Sequence, residues 1–445
     1  VNDEYNGQYF YKVEVYNLNP LSVNNNMKLL TAGVAKGNSP FVEEIVVPLQ
    51  DSILYIKQID PLQREIVKVV DISSVTTAVC DFSNNTITTK SVFSSVVTSR
   101  AIPSPSEKAT AYPLPDNRIT LGSGAITLEA NTKYYLPYGF TNNQITFDGW
   151  SANVELFVEG NVTFSNTLSL SNGCKIVVLP KGSVSINGGT NWNGSGVIVA
   201  IHERGTLNFE GTSIFGSNNK IINDGEINAK EIYMQYGTPK IINNGIIKSA
   251  IINHAVGIIE NNHHIEAGYL HFSGQGGTLN NNCFTICDDL EFKNGIVNST
   301  SGSLFACNDF KGHTATINLN GNAIFSIGDV AAYSIPVSNI LTSGPDFEHN
   351  VVINGVSENN IRPLFYVKSG SVSFGRSPKP LSLKGSLDAA IVPSYDASKL
   401  DINMAVTLTK EPLTAIAETS CNGSGATEDP GTGTPTNPSF PIKVE

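Results

Sequence analysis

The sequence predicts an all-β protein: a right-handed parallel β-helix from about Ile119 to about Val392, preceded by a small antiparallel β-sandwich. Three observations carry this. β-branched residues dominate, and almost no run of Ala, Leu, Glu and Lys recurs at helical spacing. Short apolar segments return at intervals of 18–20 residues over the clearest stretch. Gly or Asn stands at the junctions between them.

Residues 1–90 read as the sandwich. YFYKVEVYNL, MKLLTAGVA, FVEEIVVPL, SILYIKQI and REIVKVVDI are short strands, each bounded by Asn, Gly, Pro or Asp. Asp60-Pro61 marks a turn between two of them. Residues 91–117 then change character, because SRAIPSPSEKATAYPLPDN holds four Pro. Proline removes a backbone donor and fixes φ, so this segment reads as an extended connector.

The solenoid occupies 118–392. IINDGEINAKEIYM (221–234), IINNGIIKSAIIN (241–253), IENNHHIEAGYLHF (259–272), LNNNCFTICDDLEF (279–292) and VNSTSGSLFACNDF (297–310) align in columns. One column is small: Ala229, Ser249, Ala267, Cys287, Cys307. Three residues on, a large apolar column runs Ile232, Ile252, Leu270, Leu290, Phe310. A third holds Asn223, Asn243, Asn261 and Asn281. Looser copies begin at Gly160, Gly182 and Gly205. No unit can bury its apolar face alone, and stacking like residues about 4.8 Å apart builds a continuous core. Asn at a corner can hydrogen-bond to the next Asn along the stack. About 13 turns would make a rod of roughly 60 Å. Beyond about residue 330 the repeat blurs, and 393–420 reads as a β cap. Residues 421–445, rich in Gly, Thr and Pro, read either as a linker that leads to a further domain or as a disordered tail.

Composition narrows the function. The formal net charge is −11 and no basic stripe alternates with aromatics, so nucleic acid is not an expected partner. No apolar run approaches the roughly 18 residues of a membrane span. The six Cys (Cys80, Cys174, Cys283, Cys287, Cys307, Cys421) show no CxxC, which argues against zinc. They read as buried thiols with occasional structural pairing. No cofactor is implied.

Enzymes built on this fold need converging carboxylates. The best candidate grouping lies two residues past the small column, at Tyr269, Asp289 and Asp309, with His271, Asp288 and Glu291 beside them. Stacked carboxylates would raise one another's pKa or hold a cation. The plainer reading makes them solvated corner residues. Units of 18–20 residues leave no room for cleft walls, and Lys311 is the nearest basic residue by alignment. Replacing Asp289 and Asp309 by Asn is therefore expected to leave folding almost unchanged. His263 and His264 stand at a turn position that neighbouring units fill with Gly, without a third ligand, so no metal is expected.

LSLSNGCKIVVLPKGSVSI, KIINDGEINAKEIYM and GTLNNNCFTICDDLEFKNG resemble the β-helix region of secreted, usually lipid-anchored surface proteins of Bacteroides-type gut bacteria, some of them in the LruC-domain group. Fungal wall adhesins carry β-helices of a similar kind. The resemblance implies a cell-surface protein of adhesin type, lipid-anchored in its precursor, with no established catalytic residues to carry over. The leading expectation is a non-enzymatic extracellular or outer-membrane surface protein that binds glycans or surface proteins. The rivals are a polysaccharide lyase or glycoside hydrolase, and a stalk presenting a further domain. The weak candidate binding residues are Tyr269, His271, Asp288, Asp289, Glu291 and Asp309.

Overall fold

The computed structural model describes residues 104–410, apart from 148–151, 193, 329, 331–334, 342–343 and 359–360, and the backbone of eight strands before them. The chain divides into two compact units. In the first, five strands form an antiparallel sheet: Phe10–Asn17, Lys28–Val34, Ser52–Asp60, Gln63–Asp71 and Val96–Val97. Glu44–Pro48, Thr77–Asp81 and Thr86–Thr89 form a second. Asp60 pairs with Gln63, and the turn expected at Asp60-Pro61 falls on residues outside the described ones. The predicted tail at 421–445 lies outside the described residues.

The second unit is a parallel β-solenoid of about 13 turns. Three sheets run along it. The first stacks Lys133–Leu136, Glu155–Val158, Lys175–Val178, Ile198–Ile201, Lys220–Asn223, Lys240–Asn243 and Ile258–Asn261, each parallel to the next. It continues through 278–281, 296–299, 316–320 and 351–355 to Leu381–Gly385 and Leu400–Ile402. The second sheet runs from Asn161–Phe164 through 226–229, 264–267 and 304–307 to Val406–Thr409. The third runs from Leu168–Ser169 through 231–234, 269–272 and 309–312 to Ser373–Phe374. Parallel pairing thus extends past Val392, where the sequence suggested a separate cap.

The predicted columns are register partners. Ala229, Ser249, Ala267, Cys287 and Cys307 pair in succession, as do Ile232, Ile252, Leu270, Leu290 and Phe310. Leu290 and Phe310 are fully buried, and Phe272 stacks on Phe292 with ring centroids 4.2 Å apart. Like residues fall above like because a parallel ladder in register repeats the environment of each position. The corners need Gly for closeness: a Cβ on Gly245 would lie 2.1 Å from the Gly225 carbonyl oxygen.

The Asn column forms a buried hydrogen-bond ladder. Asn223 donates to Asn243 (2.8 Å), Asn243 to Asn261 (2.9 Å) and Asn261 to Asn281 (3.1 Å). Each also donates to a backbone carbonyl of the adjoining turn, so amides that would be costly inside the core are bonded along its length.

The Pro-rich connector is a strap on the outer face of the first sheet. Ala109 packs with Phe157, Val177, Leu179, Ala200, Ile222 and Ile242. Polar anchors fix its course. Ser106 N–H and Oγ bond to Glu260, Asn244 donates to the Glu107 carbonyl, and Ala109 N–H donates to Asp224. Lys220 and Lys240 pair with Glu107 and Glu260. Among the described residues no helix is long and apolar enough to cross a membrane.

Candidate functional site

The six candidate residues converge on two adjoining strips. Tyr269, Asp289 and Asp309 are consecutive register partners on the outer face of the third sheet, as are His271, Glu291 and Lys311. Outward placement follows from alternation, since Leu270, Leu290 and Phe310 between them point into the core.

Two expectations about this corner are overturned. It is not a set of solvated carboxylates, because Asp289 is only 1% exposed. It is also not unwalled. Thr316 pairs with Val352, so one turn spans 36 residues instead of 18–20, and Ser338, Ile340, Leu341 and Gly344 of the extra chain reach the corner. The carboxylates receive backbone N–H groups from that excursion. Ser338 donates to Asp288 (2.8 Å), Ile340 and Leu341 to Asp289 (2.7 and 2.9 Å), and Gly344 to Asp309 (2.9 Å). Asp288 also accepts from Asn308 at 2.9 Å. Charged acceptors make strong hydrogen bonds, and here they anchor a segment without strand pairing of its own. The two Asp→Asn replacements expected to be silent are therefore expected to loosen this segment.

The electrostatics follow from crowding. Burial lifts the Asp309 carboxyl above its ordinary range; the Gly344 N–H opposes this, and the charges of Asp289 and Asp288 add to it. Lys311 does not neutralise the group, for it pairs with Glu348 at 3.1 Å. Among the described residues no three His, Cys, Asp or Glu come together to hold a metal ion.

In the second strip Tyr269, His271 and Glu291 form a trio joined by one hydrogen bond and one ring stack. Tyr269 donates its hydroxyl to Glu291 and stacks on His271 at 5.3 Å between ring centroids. His271 Nε2 lies 3.9 Å from Glu291. Burial, then the bond to Glu291, raises the Tyr269 hydroxyl well above the ordinary phenol range. Burial lowers His271; Glu291 works against this and Lys293 adds to it. The trio can position or bind a polar group. A phenol held protonated in this way is a poor base.

The remaining His and Cys have local roles. His263 bonds to the Gly245 carbonyl at 3.1 Å, and His264 to Glu266 at 2.9 Å. Cys174, Cys287 and Cys307 are buried and form no disulfide, whereas Cys283 is disulfide-bonded. The side chains of Cys80 and Cys421 lie outside the described residues.

Sequence reasoning missed a second amide ladder on the outer face of the first sheet. Asn298 donates to Asn280 (2.9 Å), Asn318 to Asn298 (2.9 Å) and Asn354 to Asn318 (3.4 Å). Its signal was present, since Asn280, Asn298 and Asn318 recur at 18 and 20 residues. The next step is 36 residues, which hides Asn354 from a search at constant period. No family model, curated protein or solved structure matches the chain.

Proposed function

We propose that this chain is a non-enzymatic surface protein whose β-solenoid presents a binding face, with glycans as the ligand class. One observation carries the reading. The carboxylates that a hydrolase would use are engaged by the protein's own backbone, while long outer faces of regular polar side chains stand open. A catalytic carboxylate has to reach substrate. Asp289 instead lies beneath residues 340–341.

The rival is a polysaccharide lyase or hydrolase working from Tyr269, His271 and Glu291. The wall over that corner favours it. The raised Tyr269 hydroxyl speaks against it, because a lyase base must lose its proton near neutral pH. Placement outside the cell, lipid-anchored in the precursor, accords with the Cys283 disulfide, which belongs to an oxidising compartment. The leading antiparallel sheets are proposed to pack as a sandwich.

A glycan array on the purified chain, run beside assays for reducing ends and unsaturated products, tests the proposal. Binding without product supports it. Product formation that Glu291→Gln abolishes would establish the enzyme. A folded chain that binds no glycan would favour a stalk.

A further inference from the structure

The outer face of the first sheet falls into two halves of opposite character. Over the first half the chain's own strap is seated, with Ser106 against Glu260. It is held largely through charge: Lys220, Asp224, Lys240 and Glu260 each engage it directly. Beyond Glu260 the same face continues as Thr278 and Asn280, Ile296 and Asn298, Thr316 and Asn318, and Val352 and Asn354. None of these eight side chains is charged, and charge returns at Lys384, the register partner of Asn354. All are open to solvent in part, Ile296 at 40%.

An amide carries two N–H donors and two acceptor lone pairs. The ladder engages one donor and one lone pair of each inner Asn. Each inner rung therefore keeps an N–H and a lone pair that the ladder does not use, repeated at about 4.8 Å. Beside this polar line runs an apolar one, made of the Thr methyl groups, Ile296 and Val352. A partner must match alternating donors and acceptors in a straight line, offer an apolar surface alongside, and carry no charge. A second peptide strap fits poorly, because this half lacks the charged anchors that hold the first. An extended neutral polysaccharide fits: its hydroxyls donate and accept, its ring faces are apolar, and it repeats along its length.

We infer that the strip from Thr278–Asn280 to Val352–Asn354 binds an extended, uncharged glycan lying along the solenoid axis. This rests on the glycan-binding reading above and names its site and ligand class. The test is titration calorimetry with soluble neutral glucan and mannan chains, with polygalacturonate as the charged comparator. Thr316→Lys places a long cation mid-strip. Ser185→Lys makes a similar change on the second sheet, and thermal melts verify that both variants fold. The neutral chain should bind wild type and Ser185→Lys alike, and Thr316→Lys at least about tenfold more weakly, a loss of roughly 1.4 kcal/mol. Unchanged affinity in Thr316→Lys would overturn the site and leave the glycan reading intact. Binding of polygalacturonate alone would overturn the ligand class. Failure of folded wild type to bind any of the three would overturn both. A dimer in sedimentation that Thr316→Lys dissolves, without glycan binding, would make the strip a self-association face and overturn the inference.

Discussion

The two amide ladders use the same chemistry on opposite sides of one sheet, and this allows a controlled perturbation. Asn261 is fully buried. Its amide donates to Asn281 (3.1 Å), the Phe284 carbonyl (2.7 Å) and Thr285 Oγ1 (3.0 Å), and accepts from Asn243 (2.9 Å). Asn261→Ala deletes all of these. Asn243 keeps the His264 carbonyl and Asn281 keeps the Thr285 hydroxyl, while the Phe284 carbonyl loses this one donor. A net buried hydrogen bond contributes about 1 kcal/mol. Two to three lost bonds sum to roughly 2–3 kcal/mol. Asn298→Ala removes a similar set from the outer face, where water takes its place, so the change should stay within about 0.5–1 kcal/mol. Urea unfolding of both variants, compared at constant m-value, measures the difference. Equal losses, or a loss under about 1 kcal/mol at Asn261, would refute the assignment of inside and outside.

Other consequences are checked separately. Leu290→Ala, at a fully buried position, should destabilise by roughly 2–5 kcal/mol in the same unfolding assay. Cys287 and Cys307 should resist a thiol reagent until the chain is denatured, since burial first raises both thiols, with Cys287 and then the aspartates adding at Cys307 and the aspartates at Cys287; rapid native labelling of either would contradict this. The strap should loosen in acid. Burial raises the Glu260 carboxyl, but Ser106, Asn262 and Lys240 together outweigh it and hold the pKa at about 2. A depressed folded-state value stabilises above the ordinary 4.5 and is lost as pH falls toward about 2, so hydrogen exchange across residues 104–112 should quicken over that window. Glu260→Gln should remove most of this pH dependence.

What was legible in the sequence is what repeats. Ala267, Cys287 and Cys307 fall in one column because parallel stacking gives each the same surroundings, and register then follows from intervals alone. The candidate corner was legible for the same reason: Tyr269, Asp289 and Asp309 share a column. Its burial was not legible. The groups that cover Asp289 are the backbone N–H groups of Ile340 and Leu341, which any residue but Pro carries, so residue identity holds no trace of them. The strap was hidden likewise. Four Pro announce an extended segment, but Ser106 meets Glu260 across 154 residues, a contact that no local pattern encodes.

In-register stacking is the claim on which every assignment depends, and spin-label distances measure it directly. Labels are placed pairwise at 280, 298, 318 and 354, in a background whose reactive thiols are replaced by Ser. The register makes these four positions successive partners on adjacent strands. Separation from position 280 should grow by one strand spacing per turn, to about 5, 10 and 14 Å. The pair 318 and 354 should be as close as the pair 280 and 298, although twice as many residues separate them. A separation between 318 and 354 that follows sequence distance, or no steady increase along the series, would contradict the solenoid and the binding face built on it.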